Sequence, residues 1–410
     1  MSSPVLVVQV ASAPPGTQVC SFNITTLHRT CPVTPHHKPW LIVQGPSRED
    51  FFIDHVHPFG AASASGNAGM IGNAAMDIWI CTGVGPVVKY KDDCNVFCSP
   101  VAGGKFQAGD FSYNYDRTEA LHRISSLGIP WHNKKGDPDF LFTQVYSGFL
   151  WDLPNCSVSL PPEKLARFHE RVRIFMDAYE GHQCPLREVD HIHGSLCYIT
   201  FVYLDGRSRL PSISNFAASF GQDERVVRYP PKSMMTDLRW WLAVLSESPP
   251  RIRLLRPRGL VQDHRIFVDV STSWGIGILV GKVWAAFRLK PEWKIPGHDI
   301  CWLEALAIKL LFYMLEALNF RDTILLVHSD SQGAIGAFEK GRCPNWHINL
   351  VLRRSFPVMS RAFISPIFQY IESKSNPADS ISRGNLPPPS QSFSLSFDLP
   401  DEIAAVLVCA

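Results

Sequence analysis

Four carboxylates within residues 266–384 constrain this chain most, because each falls on a different local element. Ile266–Val270 is β-branched and aromatic and runs into a Ser/Thr/Gly turn, so it reads as a strand whose last outward residue is Asp269. Gly275–Val280 and Val283–Leu289 are short apolar runs split by Gly281-Lys282, a hairpin signal. Asp299–Leu318 has no Gly or Pro and is rich in Ala and Leu; it predicts a helix capped by Asp299, with Glu304 on its second turn. Thr323–His328 is a continuous apolar run, as in a strand buried on both faces, and Asp330 stands just past it. Ile367–Ile371 predicts a further strand. Asn376-Pro-Ala-Asp379 predicts a helix start with Asn as cap and Pro in the first position.

If the strands of Asp269 and Asp330 are neighbours they lie about 5 Å apart, close enough for both carboxylates to share one cation. Acidic groups gathered this way repel one another without counter-ions. With two hard divalent ions roughly 3.5–4 Å apart they form an oxygen-ligand site suited to phosphodiester hydrolysis.

The block resembles the ribonuclease H domain of retroelement polyproteins, whose four acidic positions match Asp269, Glu304, Asp330 and Asp379. The closing Asn376-Pro-Ala-Asp379-Ser-Ile-Ser-Arg383 is similar to the last acidic motif of gypsy-like and DIRS-like (tyrosine-recombinase) retrotransposons. The resemblance implies a ribonuclease H-type hydrolase that cuts RNA in RNA–DNA hybrids with two Mg²⁺ or Mn²⁺ ions. Ser331 and Gln332 beside Asp330 are candidates for contacting the hybrid backbone, and Asn345 for reaching a 2′-hydroxyl.

Residues 1–155 hold a second constellation. Val87–Phe97 places Asp92 and Asp93 between two β-type runs, the pattern of a hairpin with acids at its turn. His57-Pro-Phe59-Gly60 leads, through small residues, into a predicted helix at Met70–Ile80. Together these resemble reverse transcriptase. Phe59 and Gly60 match a segment that contacts template and incoming nucleotide, and Tyr90-Lys-Asp-Asp93 matches the palm motif, which implies metal ligation by Asp92 and Asp93. The family's third aspartate is replaced by Asn23, which brings no charge, and the stretch ahead of it is too short for a fingers region. Both departures argue against polymerase activity. Lys134 and Lys135 read as a solvated loop pair.

The expected architecture is α/β. Residues 1–155 form an α+β partial palm, 156–248 a thumb and connection region, 249–262 a linker, 263–386 a ribonuclease H-like domain with a five-stranded mixed sheet, and 387–410 a low-complexity tail. Within that tail Leu399–Cys409 is a short helix at most. Two other readings stay open: a folded but catalytically silent nucleic-acid-binding remnant, and a different nuclease or integrase-like chemistry on the same fold.

Composition narrows the setting. A net charge of +2 gives no bulk basic field, so nucleic-acid binding has to come from local patches such as 251–258 and Arg353-Arg354. Eleven cysteines without a CxxC pair argue against zinc and for a reduced compartment. His191 and His193 have no third ligand nearby and read as structural. No apolar run approaches the roughly 18 residues of a membrane span. Val5–Val10 reads as a strand rather than a signal peptide. The expected setting is intracellular, cytoplasmic or nuclear, away from membranes, with an RNA–DNA hybrid or other nucleic acid and other element-encoded proteins as partners.

Overall fold

The computed structural model describes residues 4–57, 64–101, 111–221, 225–257, 259–393 and 399–410. The architecture is α/β, in two compact units: residues 1–164 with 252–258, and residues 165–251 with 259–410. The expected connection region therefore does not stand apart, because residues 165–251 pack with the C-terminal block.

In the first unit a four-stranded sheet runs in the order Val87–Tyr90, Asp93–Cys98, Gln18–Ile24, Trp131–Gly136. Cys20, Phe22 and Ile24 alternate inward with Cys94, Val96 and Cys98, against the helix Ala64–Cys81. The fully buried Trp79 centres that core, 5.4 Å from the Phe22 ring and 5.7 Å from Trp131, with its indole N–H given to Ala120 O at 2.7 Å. The opposite pleat of the same strands carries Asn23, Asp93 and Asn95. A second sheet contains the hairpin Thr143–Tyr146/Phe149–Asp152, whose two turn residues, Ser147 and Gly148, both have positive φ, as a tight two-residue hairpin turn requires. Lys134 and Lys135 lie on the strand Trp131–Gly136, not in a loop. Val5–Val10 is helical, within Pro4–Ala11, because Leu6 and Val10, one turn apart, are both wholly buried. Burial on one helical stripe overrides the β-branched composition.

The second unit is built on a mixed sheet of six strands, one more than expected: Ile364–Tyr370, Thr323–Ser329, Gln262–Val270, Gly275–Val280, Val283–Leu289 and Leu407–Cys409. The first three are parallel and the rest antiparallel. Ile266, Val268, Ile276, Ile278 and Phe287 point to one face, under the almost entirely buried helix Ile300–Ala317. Asp299 caps that helix, accepting from Trp302 N at 2.8 Å. Thr323–Ser329 alternates between buried and half-buried residues and is not covered on both faces.

The sixth strand comes from the segment expected to be tail. Val283–Leu289 would otherwise end the sheet with bare N–H and C=O groups, and Leu407–Cys409 satisfies them. Ile403 and Leu407 bury at 0% and 1% exposure, and Glu402 accepts from Lys309 at 3.1 Å and Arg354 at 3.2 Å. Arg353 belongs to no open basic patch, since with Arg209 it donates to the fully buried Asp237. Among the described residues no helix is long and apolar enough to cross a membrane.

If the C-terminal segment that ends in this strand is part of the core, Ile403→Ala should cost about 2–5 kcal/mol, the usual range for emptying a buried aliphatic site. Urea unfolding of the full chain measures this; an unchanged midpoint would place the segment outside the cooperative core.

Candidate active site

Asp269 faces Gly277 in the register of the two central strands. Gly277 carries no side chain, and a Cβ there would sit 2.6 Å from Ser382 N and 2.7 Å from Ala378 O. The helix Ala378–Ser382 therefore lies directly on the sheet, with Ile381 among Trp284 and Ala286. Its two ends reach Asp269. Ser382 Oγ donates to Asp269 Oδ2, and Asn376 Nδ2 donates to Asp269 Oδ1 at 3.4 Å and to Val268 O at 2.9 Å. Asn376 Oδ1 meanwhile accepts from Ala378 N at 3.1 Å, so the expected cap also braces the aspartate. Sequence reasoning passed over Ser382 as a site residue; its only sequence signal is its place three residues after Asp379, on the same short helix.

Asp269 is 2% exposed and Glu304 6%. Burial pushes the Asp269 carboxyl up to about 6; the Ser382 hydrogen bond opposes this, while the charges of Asp330 and Asp379 add to it. Burial also pushes Glu304 up to about 9, helped by Asp330 and Asp269. The charge of Asp330 thus reaches both Asp269 and Glu304, as the strand–helix–strand order implies. Glu304 Oε2 and Asp330 Oδ1 are buried with no hydrogen-bond donor against them. Asp379 is engaged elsewhere: Arg383 Nε contacts both of its oxygens, at 2.9 and 3.0 Å, and Nη2 adds a bond of 2.8 Å. Among the described residues no three His, Cys, Asp or Glu side chains are gathered tightly enough to hold one metal ion as they stand.

The residues nonetheless fit a hard divalent cation in kind. Two buried carboxylate oxygens lack donors, the donor set is all oxygen, and two carboxyls are driven toward neutrality by burial and by neighbouring acidic charges. Ser331 caps the next helix, accepting from Ala334 N at 3.2 Å, and Gln332 is exposed at its first position. Asn345 spends its amide on the fold: Oδ1 accepts from His347 N and Ile348 N, and Nδ2 donates to Gly297 O. The fold thus already occupies both ends of that side chain.

In the first unit, Asn23, Asp92 and Asp93 also come together. Asn23 Nδ2 donates to Asp92 Oδ2 at 3.3 Å and to Asp93 Oδ1. Burial pushes the Asp93 carboxyl up; Asn23 opposes the shift and Asp92 adds to it. Asn23 and Asp92 line an open cavity of about 360 Å³ with Thr25, His132 and Lys135. Phe59 and Gly60 lie outside the described residues.

No family model and no curated protein matches the chain. It is similar to solved structures of a foamy viral protease–reverse transcriptase. A dRH form in complex with double-stranded DNA is 11% identical with a TM-score of 0.43, over 88% of this chain and 58% of that one. The complex with an RNA/DNA hybrid is 11% identical with a TM-score of 0.44, over 96% and 48%. The double-stranded DNA complex of the protease–reverse transcriptase is 12% identical with a TM-score of 0.44, over 91% and 71%. The chain thus spans roughly half the length of the first two.

Both raised carboxyls favour their protonated forms in the fold. The stability this gives is fully present below the unfolded carboxylate range, about pH 4, and is lost as pH rises through about 6 for Asp269 and about 9 for Glu304. The Tm of the metal-free chain should therefore fall between pH 5 and 9, and Glu304→Gln should flatten the upper part of that fall. A wild-type Tm that does not change over this range would mean the carboxyls are not buried together.

Proposed function

We propose that the second unit hydrolyses phosphodiester bonds in RNA–DNA hybrids, as a ribonuclease H-type enzyme with its centre at Asp269, Glu304 and Asp330. The observation that carries this reading is the pair of buried, donorless oxygens on Glu304 and Asp330 beside the braced carboxylate of Asp269. Asp269, Glu304 and Asp330 would hold Mg²⁺ or Mn²⁺, with Asp379 joining them on release from Arg383. Two such ions, when bound, supply an activated water and stabilise the leaving oxygen. Asn376 and Ser382 keep the Asp269 carboxylate in one orientation, and the burial of Glu304 excludes competing water. RNA–DNA hybrid, reverse transcriptase descent and a gypsy-like or DIRS-like origin belong to the same proposal.

Two observations favour a second reading, a catalytically silent nucleic-acid-binding remnant. Arg383 occupies the fourth carboxylate, and an amide sits where the first unit would need a charge. In that unit the Asn23 amide bridges both aspartates as a donor, which lowers the demand for a cation there.

The test is cleavage of a labelled hybrid with Mg²⁺, with Mn²⁺ and with chelator. Asp330→Asn should reduce metal-dependent cleavage by more than about 100-fold, while Ser382→Ala, which removes only an orienting bond, should cost about 10–100-fold. Full activity in Asp330→Asn would show the site to be elsewhere, and no cleavage with any metal from a folded chain would favour the silent remnant.

The chain should also fail to extend a primer on a poly(rA) template. Robust extension would mean that Asn23 serves as well as an aspartate.

A further inference from the structure

The turn Leu204–Arg209 treats its two arginines in opposite ways. Arg209 donates to Asp237 at 3.0 Å, and Asp237 also accepts from Ser212 and from Arg353, which reaches back to Ser208 O at 2.9 Å. Gly206 packs so tightly on the Trp241 ring that a Cβ there would lie 2.1 Å from it. The turn is therefore held firmly in place. Arg207, on the same turn, makes no ion pair or side-chain hydrogen bond with any described residue. Its stem runs along Gly341, with Cδ 3.4 Å from where a Cβ would be. Gly341 ends the helix Gln332–Lys340 in a left-handed conformation and turns the chain so that Arg342 follows beside Arg207.

Arg342 is exposed and is likewise unpaired among the described residues. The charge it places on Arg207 is repulsive, and together with burial, the larger cause, it holds the Arg207 guanidinium below its ordinary value. His193 stands in the same field: burial and Arg342 hold its imidazole down, against a smaller opposing pull from Asp190. Its Nε2 lies 3.4 Å from Cys197 Sγ. A half-buried cation beside a second cation, with no counter-ion, is costly to fold. The Arg207 stem against Gly341, with Arg342 next in the chain, gathers two guanidinium groups in one neighbourhood, and guanidinium forks match the oxygens of a phosphate group.

We propose that Arg207 and Arg342 form a phosphate-binding subsite that grips the backbone of a nucleic acid bound to the second unit. The occupant rests on the reading of that unit as a hybrid nuclease. The helix Gln332–Lys340 begins two residues after Asp330, and its nine residues span about 14 Å. At a rise of about 3.4 Å per base pair, the subsite would hold the backbone about four steps from the carboxylates. Arg207 and Arg342 are positioning residues in this role.

Binding of a fluorescent RNA–DNA hybrid to the full chain, measured by anisotropy in chelator over a range of salt, tests this without any catalysis. Arg207→Gln with Arg342→Gln should weaken binding at low salt and make the slope of log affinity against log salt shallower by roughly 1.5–2. The exposed Arg342→Gln alone should remove about one unit of slope, and so keeps the test valid if the double variant folds poorly. Lysine at both positions should keep the wild-type slope, and Arg173→Gln, a surface arginine paired with Glu170 and Asp177, should change little. Wild-type binding with unchanged slopes in the glutamine variants would overturn the subsite alone. No binding by the wild-type chain would overturn both the subsite and the hybrid-nuclease reading.

Discussion

The second unit depends on a contact that a single methyl group would prevent. Gly277 stands opposite Asp269 and leaves room for the helix Ala378–Ser382 to rest on the sheet. A carboxylate at 2% exposure, in the middle of a sheet, is costly unless donors come to it. Here both donors come from the ends of that helix, Asn376 before it and Ser382 at its close. The same docking brings the charge of Asp379 to bear on Asp269. The order of acidic residues in the chain becomes a cluster in space only because this short element lies flat.

What could be read in advance follows from the range of each signal. The hairpin at Gly281-Lys282, the Asp299 cap and the Asn376 start all depend on neighbours within a few residues, and each appears where expected. The helix at Pro4–Ala11 departs from the strand expected of its sequence, because a β-branched run says little until its burial partners are known. Leu407–Cys409 is not legible as a strand for a related reason. Three residues carry no period, and what makes them a strand is the open edge of Val283–Leu289, more than a hundred positions earlier. Arg353 read as part of a basic patch because Asp237, which neutralises it, lies 116 residues away. Asn345 read as a substrate contact because an asparagine ahead of a helix has the same sequence signature whether it caps or binds.

The two acidic clusters show different solutions to one electrostatic problem. In the first unit the two aspartates share an amide donor, and Asn23 spreads one N–H₂ group across both carboxylates. That arrangement eases the repulsion from within the chain, at the expense of the charge a cation needs. Among the described residues, the second unit contains no such bridge across its three carboxyls. Glu304 and Asp330 each keep a buried oxygen without a donor, and burial with mutual repulsion drives Glu304 far from its ordinary range. Repulsion left in place at the cost of stability is what a cation site requires, since a cluster already neutralised by its own donors would gain little from binding one. The same reasoning applies to arginine. Asp237 takes two guanidiniums and locks a turn, whereas Arg207 on that turn keeps its charge unspent. In both cases the uncompensated group, and not the paired one, has free energy left to give to a ligand.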